Sequence, residues 1–208
     1  MLYIAGILVI SYLIGSIPTA YLVVRRRTGI DIRNAGSGNV GAFNTFDVTK
    51  SRWIGITVGL LDALKGFAVT AVLGWVLKTS FELQALGLLG TIFGHNYPVW
   101  LKFKGGRGLA TGAGGLFAIG LAYTIVWCLI WVFVFWVKKD ILIGNLAAII
   151  ATPFVLLAIP GSWIEALFLV NCSLLSFRIF AFILSAILLL SHTEVLSDLR
   201  TQRRVGNE

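Results

Sequence analysis

The chain has 208 residues, of which 58% are apolar and only 12% are charged, with a mean hydropathy of +0.91. Soluble domains carry about 25% charged residues, so this composition excludes an ordinary soluble globule, and the many large apolar side chains exclude disorder. The 17 basic residues outnumber the 9 acidic ones and give a formal net charge of +8. In so apolar a chain, the excess of basic residues indicates loops that face anionic lipid headgroups, and not a surface that binds nucleic acid.

Seven apolar runs are candidate membrane-spanning helices, each of which needs about 20 mostly apolar residues. They cover residues 2–24, 53–77, 83–100, 109–121, 122–137, 141–159 and 164–191. The first run lacks a preceding basic segment and a small-residue cleavage site, so we expect a retained helix and not a signal peptide. The fourth run is short and rich in glycine, as in a short span or a re-entrant segment. The sequence therefore predicts an all-α, polytopic helix bundle with about seven transmembrane helices.

The basic residues predict the orientation of this bundle. Most of the 17 Lys and Arg residues follow the first, third and fifth runs or lie in the C-terminal tail. Since cytoplasmic loops carry the excess of Lys and Arg, the N-terminus is expected outside and the C-terminus in the cytoplasm. We expect one transmembrane domain over residues 1–200 and a polar, basic cytoplasmic tail at residues 201–208.

The last apolar run is the least certain part of this map. Residues 164–191 are long for one span and contain Arg178, and Pro160-Gly161-Ser162 breaks the chain before them. Tilt, a kink, or an interfacial helix before Arg178 would each explain the length, and the sequence leaves all three open.

The first polar segment, Asp31–Asn44, interleaves glycines with short polar side chains. Ser37, Asn39 and Asn44 alternate with Gly36, Gly38 and Gly41. Glycine allows a positive φ and close backbone approach, so consecutive N–H groups can converge on an anion. The alternative is a flexible loop, which is the commoner outcome for an isolated segment of this kind.

The second polar segment, Gly94–Gly112, contains a glycine turn that leads into a helix. Gly105-Gly106-Arg107-Gly108 precedes the fourth run, and Thr111 lies in its first turn. A helix N-terminus favours bound anions, and Lys104 and Arg107 add cations. The P-loop pattern GxxxxGK[ST] is absent, so no nucleotide is predicted. A basic loop that touches lipid phosphates explains the segment equally well.

The third polar segment, Ser191–Arg200, lies at the predicted cytoplasmic end of the last run and contains His192. Histidine can act as an acid, a base or a phosphate ligand, but an interfacial histidine is as often a satisfied helix-end residue. For His95, which ends the third run, we favour a structural role. Neither histidine starts the His-x4-Asp motif of soluble-headgroup acyltransferases, because Trp100 and Ser197 occupy the fifth positions.

A pair of opposite charges lies inside the second run. Asp62 and Lys65 are one helical turn apart, at a depth where an unpaired charge is costly. We predict that they neutralise each other and face the bundle interior. A structural lock is favoured over a direct catalytic role.

These segments together resemble the acyl-phosphate:glycerol-3-phosphate acyltransferase (PlsY) family. The resemblance begins at Gly15-Ser16-Ile17-Pro18 and includes three motifs in order, Asp31–Asn44, Gly94–Gly112 and His192-x-Glu194, with Asp62-x-x-Lys65-Gly66 between the first two. It implies a seven-helix membrane enzyme that acylates position 1 of glycerol-3-phosphate. The implied donor is a fatty acyl phosphate, and the products are lysophosphatidate and phosphate. The resemblance also implies phospholipid biosynthesis at the cell membrane, with the active site on the cytoplasmic face.

Several positions depart from the family pattern. Arg107 stands where family members usually carry lysine, and Asp47 where an arginine is usual. Val195 replaces an asparagine of the third motif, and Asp198 falls where a later arginine is expected, unless Arg200 substitutes for it. These departures bear on the identity of the acceptor more than on the fold.

The loops and the resemblance together define the predicted site. Its catalytic residues are His192 and Arg107. Its substrate-binding residues are Arg33, Ser37, Gly38, Asn39, Asn44, Lys104, Gly105, Gly106, Gly108 and Thr111. We expect the backbone amides around residues 36–41 and 105–108 to meet and hold a phosphoryl group, while the cations stabilise charge on the leaving group. No metal or cofactor is expected, and the predicted partners are the two substrates and membrane lipid.

The general base has two candidates. A bound phosphate monoester has a second pKa of about 6 and can take the hydroxyl proton itself, which we favour slightly over His192.

Two other functions stay open. Glycine-rich broken segments also occur in small anion carriers, although an internal repeat is not apparent and the polar residues gather on one face. A lipid-binding member with altered catalysis or a different acceptor is the other alternative.

Overall fold

The computed structural model describes residues 2–193, which form ten α-helices. They are α1 Leu2–Gly15, α2 Thr19–Thr28, α3 Ala42–Thr49, α4 Arg52–Ala71, α5 Phe81–Asn96, α6 Leu109–Ile119, α7 Ala122–Lys138, α8 Ile141–Ala158, α9 Gly161–Glu165 and α10 Leu174–Leu190. Short 3₁₀ helices cover Ile32–Asn34 and Val99–Leu101, and a π-helical turn, Val72–Val76, extends α4. Glu194, Val195, Asp198, Arg200 and the tail at 201–208 lie outside the described residues.

The described residues form two compact units. The first contains residues 2–121 together with 168–172, and the second contains residues 122–167 and 173–193. The short segment 168–172 joins the first unit through the Leu169 N–H, which donates to the Ile119 carbonyl at 2.9 Å. Both glycine-rich loops belong to the first unit.

The first predicted run is broken into two helices. The expectation of one continuous helix over residues 2–24 is wrong, because α1 ends at Gly15 and α2 begins at Thr19. Pro18 has no backbone N–H to donate and disfavours helical geometry at the residue before it. The break leaves backbone carbonyls of Gly15 and Ile17 without helical partners, and a side chain from α4 binds both of them.

Glycines bring the helices of the first unit into close contact. A Cβ atom at any of four glycines would overlap a backbone carbonyl of the facing helix: Gly15 with Thr91, Gly94 with Tyr12, Gly66 with Thr111, and Gly114 with Ala63. Such small residues allow helix backbones to approach closely, as in other membrane bundles. The α1–α5 and α4–α6 pairs packed in this way hold the ends of the helices that carry the loops.

Arg178, in the last apolar run, binds the C-terminal end of α8. Its guanidinium donates to the carbonyls of Leu156 and Ile159, each at 3.1 Å, and thereby satisfies the C-terminal end of α8. The run at 164–191 is not one helix, because α9 ends at Glu165 and α10 begins only at Leu174. A short helix, α9, therefore precedes the helix that carries Arg178, while tilt, a kink and an interfacial helix stay predictions.

Three helical segments of the described chain are long and apolar enough to cross a membrane: Leu2–Thr28, which includes the break, Arg52–Val76 and Ile141–Ala158. Leu109–Ile119, Ala122–Lys138 and Leu174–Leu190 are shorter apolar helices. These helices agree with the predicted all-helical membrane protein. The count of seven spans and the orientation of the termini stay predictions.

Candidate active site

The two glycine-rich loops meet, as the sequence predicted. The Val40 N–H donates to the Gly105 carbonyl at 3.3 Å. A Cβ atom on Gly106 would lie 2.7 Å from the Val40 carbonyl oxygen, so only glycine fits this approach. The loop over residues 31–44 and the loop over residues 94–112 therefore form one site within the first unit.

Asn44 holds the first loop in shape. Its buried carboxamide accepts from the Ser37 N–H at 2.9 Å and donates to the carbonyls of Ala35 at 3.1 Å and Asn39 at 3.0 Å. Gly36 has a φ of +58°, and a Cβ there would overlap the Asn44 oxygen. Because these hydrogen bonds go to the loop itself, Asn44 stabilises the loop, and its expected contact with substrate stays a prediction.

Several backbone amides of the first loop donate to protein acceptors. Gly38 donates to Ala35, Gly41 to Asn39, and Val40 to Gly105 across the two loops. These three N–H groups thus have protein acceptors, and the expected binding of a phosphoryl group by the amides around residues 36–41 stays a prediction. The side chains of Ser37, which is exposed, and Asn39, which is half-buried, are the polar groups that the loop presents.

Two backbone amides of the second loop cap the C-terminal end of α5. Gly105 donates to the Asn96 carbonyl and Gly106 to the His95 carbonyl, each at 3.1 Å. The last carbonyls of α5 need such partners because no further turn of helix supplies them. The Gly105 and Gly106 amides thus cap α5, and the expected binding of phosphate at these two residues stays a prediction.

The N-terminus of α6 also offers backbone N–H groups to an anion. Gly108, with a φ of +78°, precedes the helix, and the first intrahelical bond here is from Gly112 to Gly108. The N–H groups before that bond have no acceptor inside the helix, and the helix dipole favours negative charge there. Lys104 is exposed and Arg107 half-buried beside this turn, which concentrates positive charge at the helix start.

Thr111 lies deeper than expected. Its side chain is fully buried in the first turn of α6, and its backbone carbonyl packs against Gly66 of α4. Its hydroxyl has no hydrogen-bond partner among the described residues. Direct contact between Thr111 and a substrate stays a prediction.

Arg33 is held by its own loop. Its guanidinium forms two bonds with Asp31, Nε to Oδ1 at 3.0 Å and Nη2 to Oδ2 at 2.6 Å, and lies 5.2 Å from the ring centre of Tyr21. The hydrogen bond from Arg33 lowers the pKa of Asp31 and raises that of Arg33. Arg33 is therefore an oriented cation whose charge is partly balanced by Asp31.

The charges inside the second run form a buried cluster, and their predicted pairing is confirmed. Lys65 Nζ lies 2.9 Å from Asp62 Oδ1 and 3.3 Å from His95 Nδ1, which in turn lies 3.5 Å from the same carboxylate oxygen. Lys65 also donates to the carbonyls of Gly15 at 3.2 Å and Ile17 at 3.0 Å, and the Thr19 hydroxyl donates to Asp62. Asp62, Lys65 and His95, which we call the buried charge cluster, thus join α4 and α5 to the break between α1 and α2.

Sequence reasoning gave His95 a structural role and overlooked its neighbour Asn96. The carbonyls of both residues accept from the amides of the second loop, and the Asn96 carboxamide is buried without a partner among the described residues. The signal was the pair of polar residues at the end of the apolar run, two residues before Pro98, where an apolar helix has no packing reason to keep them.

His192, the predicted catalytic histidine, belongs to the second unit. It is fully buried, and its Nδ1–H donates to the Leu188 carbonyl at 2.7 Å. This bond fixes the tautomer so that the neutral ring carries its lone pair on Nε2.

Comparisons with known proteins identify relatives of the whole chain. The family model of glycerol-3-phosphate acyltransferase matches residues 5–202. Glycerol-3-phosphate acyltransferase 2 of Moorella thermoacetica is 43% identical over 162 residues, which cover 77% of this chain and 81% of the relative. Glycerol-3-phosphate acyltransferase of Anaplasma phagocytophilum is 38% identical over 179 residues, 83% of this chain and 90% of the relative.

Solved structures agree with these relatives. The glycerol 3-phosphate form of PlsY, an integral membrane glycerol 3-phosphate acyltransferase, has a TM-score of 0.78 at 27% identity and covers 97% of this chain and 94% of its own. The lysophosphatidic acid form gives a TM-score of 0.77 at 26% identity, with 97% of this chain and 93% of its own covered.

Proposed function

This chain belongs to the glycerol-3-phosphate acyltransferase family, and we propose that it transfers a fatty acyl group from acyl phosphate to position 1 of glycerol-3-phosphate. The products are lysophosphatidate and inorganic phosphate. The observation that supports this most directly is the contact between the two glycine-rich loops, from Val40 to Gly105, which joins the polar segments into one cation-bearing site.

The chemistry needs no covalent enzyme intermediate. An acyl phosphate is a mixed anhydride, and phosphate leaves from it readily. The hydroxyl oxygen of glycerol-3-phosphate attacks the acyl carbon, an ester bond forms, and the bond between that carbon and the phosphate oxygen breaks. The hydroxyl proton passes to a base, and the electron pair of the broken bond remains on phosphate. The protein therefore has to align two anionic substrates and stabilise charge on the leaving group.

We propose that different cations of the site bind the two phosphate groups. Lys104 and Arg107, beside the start of α6, bind a phosphoryl group, and Arg107 can hold two of its oxygens at once. Arg33, oriented by Asp31, lies on the first loop and can bind the other phosphate. Ser37 and Asn39 present polar side chains that orient the acceptor.

The proton acceptor is either the phosphate of the bound substrate or His192. The bond from His192 Nδ1 to Leu188 supports the second route, because it leaves Nε2 as the basic nitrogen of the ring. The second pKa of a phosphate monoester, about 6, supports the first route, which we favour.

The position of Asp47 bears on the acceptor. Its carboxylate lies 2.6 Å from Lys50 Nζ on the exposed face of α3, so its negative charge is balanced locally. We propose that this balance lets the site keep a phosphorylated acceptor. The proposal also includes the cell membrane as location, seven spans, and a site on the cytoplasmic face, which the basic loops support.

Purified protein in detergent, supplied with acyl phosphate and glycerol-3-phosphate, tests the function. We expect phosphate release that requires both substrates and is insensitive to EDTA. Anion flux through vesicles without any reaction would replace the proposal with a carrier, and binding without turnover would indicate a non-catalytic lipid-binding member. Replacing glycerol-3-phosphate by other polyol phosphates then tests the acceptor.

The His192→Ala variant separates the two bases. If substrate phosphate takes the proton, we expect KM to rise while kcat changes by less than about tenfold. A loss confined to kcat, of about 100-fold or more, would assign the base to His192.

A further inference from the structure

We propose that His95 is a positioning residue for acyl transfer and that Asp62 and Lys65 act on the reaction through it. The inference rests on the proposed function and adds to it a link between the membrane-embedded helices and the second loop.

His95 holds the glycine turn at two points. Its backbone carbonyl accepts from the Gly106 N–H at 3.1 Å. Its ring lies so close to Gly106 that a Cβ there would overlap Nε2. The turn is therefore fixed in position by the backbone of α5 and by an imidazole that fills the space behind it.

The ring is itself fixed by the two charged side chains of α4. Its Nδ1 lies 3.3 Å from Lys65 Nζ and 3.5 Å from Asp62 Oδ1, so a donor and an acceptor both face the same nitrogen. All three side chains are at least nine-tenths buried, and water cannot replace these partners freely. Rotation of the ring would leave a buried charge with fewer partners, which is strongly unfavourable.

The cluster is also attached to the α1–α2 break. Lys65 binds the Gly15 and Ile17 carbonyls, and Thr19 binds Asp62. A small cavity beside His95 is lined by residues of this break and by Val40, with a volume of about 10 Å³ that suffices for roughly one water molecule. If the imidazole is removed, this cavity grows directly behind the Gly105–Gly106 turn, and the turn can shift into it.

Such a shift would act on the reaction through the next residue. Arg107 follows Gly106 directly, so movement of the turn moves the cation that faces the leaving phosphate. A displacement of a catalytic group by about 1 Å can lower the rate about 100-fold. His95 needs no contact with substrate to produce this effect.

The experiment compares His95→Ala, His95→Gln and Gln84→Ala in full-length protein in detergent. Gln84 is the matched control, since it is buried on the same helix and its Nε2 donates to the Thr79 carbonyl at 2.9 Å. Hydrogen exchange of peptides over residues 104–112 reports the position of the turn. Steady-state kinetics and thermal unfolding are measured on the same samples.

We expect His95→Ala to speed exchange in residues 104–112 by about tenfold or more and to lower kcat by about 10- to 100-fold, with a smaller change in KM. His95→Gln, which refills most of the space, should recover at least part of both losses. Gln84→Ala should lower the unfolding temperature without changing kcat or exchange in this loop.

Unchanged exchange and kcat in His95→Ala would overturn the inference, as would equal changes in Gln84→Ala. An inactive wild-type protein would instead refute the proposed function. The exchange comparison would still decide whether His95 positions the turn.

Discussion

The two loops of the site are shaped in different ways. The first loop is held by Asn44, a residue of its own segment, whose carboxamide binds Ser37, Ala35 and Asn39. The second loop is held by residues of α5, and His95 of that helix is fixed by charges on the neighbouring helix α4. The conformation of the first loop is therefore determined by residues within that loop. The conformation of the second loop depends on how the helices of the bundle pack.

This difference predicts how each loop responds to substitutions. Substitutions in the first loop should act locally, while substitutions far along the chain, in α4, should disturb the second loop together with the stability of the first unit. The following substitutions test this contrast from the largest expected effect to the smallest.

Asp62→Asn should have the largest effect on stability. It removes the carboxylate that balances Lys65 inside the bundle, and breaking a buried ion pair costs about 3–5 kcal/mol. Thermal unfolding in detergent should show a much lower midpoint than wild type. Asp47→Asn, which removes an exposed carboxylate paired with Lys50, is the control and should stay close to wild type. Equal shifts in the two variants would contradict the role of the buried charge cluster.

Arg107→Ala should have the largest effect on catalysis. Removing a group that stabilises charge in the transition state lowers kcat by about 100- to 1,000-fold, equivalent to about 2.7–4 kcal/mol. Phosphate release from acyl phosphate measures this loss. Lys102→Ala, an exposed cation of the same loop, is the control and should retain most activity. Near-normal rates for Arg107→Ala would remove the second loop from the active site.

Asn44→Ala should disturb the first loop alone. It leaves the partly buried Ser37 N–H and the carbonyls of Ile32, Ala35 and Asn39 without this partner, and each loss costs up to about 1–3 kcal/mol before relaxation. We expect a moderate fall in stability and faster hydrogen exchange over residues 31–44, with unchanged exchange over residues 104–112. Thr57→Ala, which removes an exposed hydroxyl bonded only to its own helix, serves as the comparison. Parallel loosening of both loops would show that they are not independent.

Asp31→Asn should have the smallest effect. Arg33 lowers the pKa of Asp31 below its ordinary value of 3.8. The contribution of the pair is therefore complete above that value and is lost only as the pH falls through the lower pKa. Between pH 5 and 8 the pair stays ionised, so the shape of the pH–rate profile should be the same in wild type and variant.

The size of the Asp31→Asn effect is also limited. The pair is partly exposed, and such pairs contribute less than about 1 kcal/mol, so kcat/KM should change by less than about fivefold. The assignment would be contradicted if the wild-type pH–rate profile showed an ionisation between pH 5 and 8 that is absent from the Asp31→Asn profile.

Much of the fold followed from local patterns. The apolar runs predicted α6, α7, α8 and α4 together with its π-helical turn to within a few residues, because continuous hydrophobicity over one helix length depends only on neighbouring residues. The break at Pro18 was present in the sequence, but the apolar run around it masked the signal. Residues 164–191 were ambiguous because the partner that stabilises Arg178, the end of α8, lies earlier in the chain.

Some features of the site were likewise predictable from the sequence, and others were not. The pairing of Asp62 with Lys65 was predictable, since residues three apart share one face of a helix. The roles of Asn44, Gly105 and Gly106 were not, because a glycine-rich segment is equally suited to bind an anion or to cap a helix.

The sequence alone therefore determined the class of protein, the approximate positions of most helices and the residues from which the site is built, all of which depend on composition and on neighbours along the chain. Tertiary structure alone decided that the Gly105 and Gly106 amides cap α5, and that His95 joins the charges of α4 to the second loop. These outcomes depend on which helices pack together, and each backbone amide donates to whichever carbonyl that packing brings within reach.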